Sequence, residues 1–138
     1  MKRKTANEYL SKYILLRDAI EDHIDRSFAY VKCRTCGKIM DRFSNSSHAG
    51  HFRSKGKGGG SGVYYDERNV HAQCNDCNKW EQGNMAEYYP FMQNKYGQKV
   101  IDELRAKHYL PRPHSIDEYG IMYRELYKAL KKQHGLTK

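Results

Sequence analysis

No apolar run in the 138 residues approaches the roughly 20 that a membrane-spanning helix needs, so a helical anchor is excluded. The basic start, MKRKTANEYLSKY, is followed by polar residues where a secretory leader would carry its apolar stretch. Nothing directs export, and a cytoplasmic location is expected. No internal repeat is present, which removes solenoids and propellers. Acidic residues are the minority, 16 against 25 lysines and arginines, giving a formal charge of +9. Such an excess favours a polyanionic partner, since each phosphate neutralised releases counterions, although it also serves mere solubility. Cysteine is scarce: there are only four. In a chain of single-domain length without a leader, that argues against a disulfide framework.

What cysteine there is falls into two Cys-x-x-Cys pairs, Cys33/Cys36 and Cys74/Cys77. Each pair presents two thiolates to one side of an ion, and four thiolates suit tetrahedral zinc. A closed four-sulfur shell makes that zinc structural, a staple for a small core. Such pairs are usually separated by about 15 to 20 residues. Here 37 residues lie between them. A redox role for the same cysteines would predict thiol-dependent activity and no stoichiometric metal.

Apolar residues between Thr5 and about Arg26 recur at helical steps, with Thr5 and Glu8 as a candidate capping box. Short β-prone pieces flank the first cysteine pair, and Gly37 lets the turn close around the sulfurs. Residues 54 to 62, SKGKGGGSG, form a loop that is either an inert linker or a close backbone approach to a site. VYYDERNVHAQC reads as a strand with Asn69, His71 and Gln73 on one face, and a helix is expected to begin near the second pair. Residues 85–96 around Pro90 and 98–109 read as helices. Pro111 and Pro113 then interrupt the chain before a Ser115/Glu118 capping box and a long apolar stripe, Ile116 to Leu130. That stripe must be buried, within the chain or in a homodimer.

The segment between the cysteine pairs holds SHAGHFRS, then RNVHAQC, and Asn78 stands nine residues after Asn69, directly behind Cys77. His51, Asn69 and Asn78 in this order resemble the HNH, or ββα-metal, nuclease motif. AGHFRS, YDERNVHAQCNDCN and GNMAEYYPFMQNKYGQKVIDELR are similar to the phage NinG/Rap family of recombination nucleases, from about Cys33 to about Lys107, with the first thirty residues outside the likeness. The Cys-x-x-Cys-Asn close also resembles the endonuclease VII resolvases.

The resemblance implies an α+β fold: a zinc-stapled ββα-metal core at 29–84, a helix at 1–28 and helices at 85–138, in one domain. It implies a DNA endonuclease acting on branched recombination intermediates such as Holliday junctions. In that chemistry His51 is the general base, since an imidazole accepts a proton near neutral pH. One Mg²⁺ or Mn²⁺ acts as Lewis acid, with the Asn78 amide oxygen as a hard ligand. Asn69 orients the loop that carries the base.

One departure stands out. Many HNH nucleases place a metal-binding aspartate or histidine directly before the base, and this chain has Gly50. His71, then His48, then Asp66 are the candidate replacements. Arg53, Lys55 and Lys57 are candidates for holding DNA phosphates. A basic zinc-ribbon module that binds nucleic acid without cutting is the alternative. Symmetric junctions need two cuts, so a homodimer is a reasonable expectation.

Overall fold

In the computed structural model, which describes residues 1–54 and 60–136, the first apolar periodicity forms α1 (Arg3–Asp22). One face of it buries Leu10, Ile14, Leu15, Leu16 and Ala19. The Thr5/Glu8 capping box does not form: the helix starts earlier, behind Lys2, and no side chain caps it. The N-terminal amine pairs instead with Asp117, tying this end to the last helix. His23, in the left-handed region at φ 49°, ends α1 by donating its N–H to Ala19 O at 2.9 Å.

Strands β1 (Tyr30–Lys32) and β2 (Ile39–Asp41) form a hairpin whose turn is the first cysteine pair. Gly37 closes that turn at φ +79°, donating to Cys33 O at 2.9 Å, a conformation that other residues reach only with strain. Then β3 (Ser47–His51) pairs antiparallel with β4 (Val70–Cys74), His51 lying opposite Val70 and Ser47 opposite Cys74. The strand expected through VYYDERN is shorter. The Asp66 carboxylate accepts from Arg68 N and starts a 3-10 turn, Glu67–Asn69, so pairing begins only at Val70.

The second cysteine pair enters a single π-helical turn, Asp76–Trp80, rather than a long helix. Helices α2 (Met85–Tyr96), α3 (Gln98–His108) and α4 (Ile116–Gln133) follow, with Pro90 inside α2 and the Ser115/Glu118 capping box fully formed at α4.

All five residues of β4 are buried, so both faces of the strand pair are covered. Val70 and Ala72 face α1 and α4, where Leu10, Ile14, Tyr65, Tyr119 and Tyr123 pack. His71 and Gln73 face the other way, toward α2 and α3, where Phe52, Val63, Tyr88, Met92, Ile101 and Leu104 form a second core. The α4 stripe is buried inside the chain at Tyr119 and Tyr123, while Met122 and Leu126 remain 39% and 37% exposed. Among the described residues no helix is long and apolar enough to cross a membrane.

Candidate functional site

The hairpin turn delivers Cys33 and Cys36, and the end of β4 with its following turn delivers Cys74 and Cys77. Their four Sγ atoms lie within 4.8 Å of one another, Cys36 and Cys74 at 3.7 Å, and none is in a disulfide. A tetrahedron with zinc–sulfur arms of about 2.3 Å has edges of about 3.8 Å, so this donor set fits zinc. The shell is further prepared by donors to sulfur: Cys77 N–H to Cys74 and Asn84 Nδ2 to Cys77, each at 3.5 Å. Burial opposes ionisation of Cys33, but Thr35 and nearby backbone groups outweigh it and bring the thiol down to about 6. Burial and the neighbouring thiols push Cys36 up to about 12. Four such thiols share negative charge badly until a cation neutralises it. Zinc bound here has all four positions filled by protein and acts as a staple.

The other end of the strand pair holds His51. Its ring stacks on Tyr64, centroids 4.1 Å apart, and its Nε2 lies 3.0 Å from Tyr64 O. A backbone carbonyl can only accept, so Nε2 carries the proton and the lone pair of the neutral ring sits on Nδ1. Asn69, wholly buried, closes the neck of the 54–62 loop. Its Oδ1 accepts from Arg53 N at 2.8 Å, and its Nδ2 donates to Arg53 O at 3.0 Å and Val63 O at 3.2 Å. Phe52 N–H adds a bond to Asn69 O at 2.7 Å. One carboxamide therefore fixes the chain on both sides of the loop, directly behind His51. The far side of the loop docks on α3, through Ser61 Oγ to His108 Nδ1 at 2.7 Å. Lys55 and Lys57 lie outside the described residues; Arg53 is half-buried at the neck.

Three of the candidate cation ligands are already engaged with other groups. His71 is a correction: it is fully buried, and both ring nitrogens are engaged. Tyr88 OH donates to Gly50 O at 2.7 Å, so its oxygen receives Nδ1–H at 3.0 Å, leaving Nε2 to accept from Tyr96 OH at 2.8 Å. Burial, then the charges of Arg17, Lys95 and Arg34, hold its pKa down at about 2. A neutral imidazole with its lone pair spent on Tyr96 is no ligand. Asp66 is paired with Arg68 at 2.8 Å, and His48 Nε2 bonds Asn75 Oδ1 at 3.0 Å. Asn78 sits third in the π-helical turn, so it is not that turn's cap. The ladder puts Cys74, from which the turn carrying Asn78 starts, at the Ser47 end, four residues along the strand from His51, about 13 Å at strand rise. Among the described residues no second group of three or more His, Cys, Asp or Glu has metal-ligand spacing.

Gly50 has a packing reason. A β-carbon there would overlap the Gln73 amide oxygen. That amide cannot turn away, because its nitrogen donates to Gly83 O at 2.8 Å and to Thr35 Oγ1 at 3.1 Å, and a carbonyl accepts only. Its Oε1 is left buried without a hydrogen-bond partner. No ligand side chain fits at position 50. Tyr64 and Gln73 were both missed from the sequence. Tyr64 offered the hint of an aromatic pair directly after the glycine loop, while Gln73 looked like an ordinary strand residue.

A family model described as Bacteriophage Lambda NinG protein matches residues 1–135. The chain belongs to the NinG family. The match takes in α1 and α4, so the first thirty residues lie inside the family and not outside it as the shorter likeness suggested. Similar curated proteins are Protein ninG of Escherichia phage 933W, 34% identical over 78 residues, covering 56% of this chain and 36% of that one. Protein ninG of Enterobacteria phage H19B is 37% identical over 60 residues, 44% of this chain and 29% of the relative. Protein ninG of Escherichia phage lambda is 31% identical over 78 residues, 56% and 36%. The matched NinG segment thus spans about a third of the length of these relatives. No solved structure matches the chain.

Proposed function

We propose that this NinG-family chain hydrolyses phosphodiester bonds in DNA, with zinc as a structural staple and His51 as the general base. The observation that carries the reading is the hydrogen bond from His51 Nε2 to Tyr64 O, which sets the lone pair on Nδ1. A base with a fixed tautomer on the last residue of a clamped strand is what activation of water requires. Nδ1 takes a proton from water, the water oxygen bonds to phosphorus, and the bond to the 3′ oxygen breaks, that oxygen leaving with the electron pair and taking a proton from solvent, to give a 5′-phosphate and a 3′-hydroxyl. Arg53 and the +9 charge supply the attraction for the polyanion. Branched recombination intermediates are the proposed substrate class, on the likeness to the NinG/Rap and resolvase families described above.

Gly50, which stands where many HNH nucleases carry a metal ligand and is packed against Gln73, favours a second reading, a zinc-ribbon module that binds nucleic acid without cutting it. The test is incubation of purified protein with branched and linear DNA in Mg²⁺ or Mn²⁺, comparing wild type with His51→Ala. Nicking by wild type that drops 10²- to 10⁴-fold in the variant supports hydrolysis. Equal nicking by both, or none by either, supports the binding module.

A further inference from the structure

Just past His51 the chain enters a groove of about 330 Å³ between the end of β3 and the helices α2 and α3. Its floor is Phe52 and Ile101, 7% and 4% exposed, and its lips are Met85 and Tyr89, 40% and 38% exposed. The Tyr89 ring is already set. Its centroid lies 6.0 Å from that of Phe52 at 52°, and its hydroxyl donates to Gln98 Oε1 at 2.9 Å. Gln98 is itself braced by its Nε2 on Asp102 Oδ1 at 2.9 Å. Arg53 and Arg105 stand at the rim, and neither guanidinium has an ion pair among the described residues.

We infer that this groove seats one unpaired base of a DNA strand, stacked on Tyr89, with the flanking phosphates on Arg53 and Arg105. An apolar groove with one half-exposed tyrosine ring at its lip, rimmed by two cations and one carboxylate, matches a nucleotide, whose base is an apolar face and whose linkages are anionic. Bases inside a duplex have both faces covered by their neighbours and cannot enter. The inference rests on the DNA reading above and extends it to the state of the strand: single, at least locally.

The test uses the zinc-loaded full chain without added Mg²⁺ and a short single-stranded oligothymidylate carrying one 2-aminopurine. Binding should change the 2-aminopurine emission. Tyr89→Ala should weaken affinity about ten-fold, while Tyr89→Phe, which keeps the ring, stays within about two-fold of wild type. Arg105→Ala should lower the slope of log affinity against log salt by about 0.7. Wild-type affinity in Tyr89→Ala, or equal competition by the duplex form of the oligonucleotide, overturns the inference. Should Tyr89→Ala lose zinc or helicity, Arg105→Glu decides, and unchanged single-strand affinity there also overturns it. A wild type that binds the oligonucleotide in this way but nicks nothing removes hydrolysis and keeps the groove; nicking without single-strand preference does the reverse.

Discussion

At the Ser47–Cys74 end of the strand pair four sulfurs converge on one point, at the spacing a tetrahedral zinc ion requires. At the His51–Val70 end the described residues hold no such four-sulfur centre, and position is set by individual hydrogen bonds: Asn69 to Arg53 and Val63, and His51 to Tyr64. The two ends belong to one five-residue ladder. A metal centre is strong and all-or-none, so it can hold residues far apart in sequence. A carboxamide clip is weak, local and graded, which suits a side chain whose orientation matters more than its anchorage. Damage at the first end should unfold the protein, and damage at the second should leave it folded.

The largest effect is expected from Cys74→Ser. Structural zinc contributes about 10 kcal/mol or more in small domains, comparable to a whole domain's stability. Elemental analysis should show zinc falling from about one per chain, and circular dichroism should show loss of cooperative unfolding. Asn69→Ala comes next. It strands the half-buried Arg53 N and Arg53 O and the buried Val63 O, worth about 1 kcal/mol each at most, so denaturant melts should show a loss of about 2–3 kcal/mol with zinc retained. Asn69→Asp, which keeps one acceptor and loses both donors, should recover little of that.

Gly50→Ala should cost about 1–3 kcal/mol, because its methyl meets the Gln73 amide. In the Gly50→Ala/Gln73→Ala double variant the two losses should fall short of adding, which a double-mutant cycle reads directly. The smallest effect is on pH dependence. His71 is held at about 2 in the folded chain against about 6.5 unfolded, so the unfolded state gains the proton first. Stability is complete well above pH 6.5 and falls as pH drops through the window toward 2, by about 1.4 kcal/mol at pH 5.5. His71→Gln should flatten that slope in urea melts across the same pH range.

Legibility differed between the ends for a physical reason. Cysteine pairs advertise their partner through chemistry alone, so the metal end could be read despite the long insertion. The Ser115/Glu118 box and the three C-terminal helices were equally plain, because caps and 3.6-residue periodicity are local. His71 was not. Alternation put it on a face with Gln73, but what covers that face is Tyr88 and Tyr96 from a helix later in the chain. A buried imidazole and a metal ligand look the same until that cover is known. The Thr5/Glu8 box failed for a similar reason, since the partner that fixes the start of α1 is Asp117. Gly50 read as a missing ligand when it is half of a packing pair with Gln73.

The division of labour between the ends is tested most directly by measuring zinc content, melting temperature and DNA nicking on one preparation of His51→Ala. The account predicts about one zinc per chain, a melting temperature close to wild type, and nicking reduced 10²- to 10⁴-fold. Nicking at the wild-type rate, or zinc lost along with it, would contradict the account.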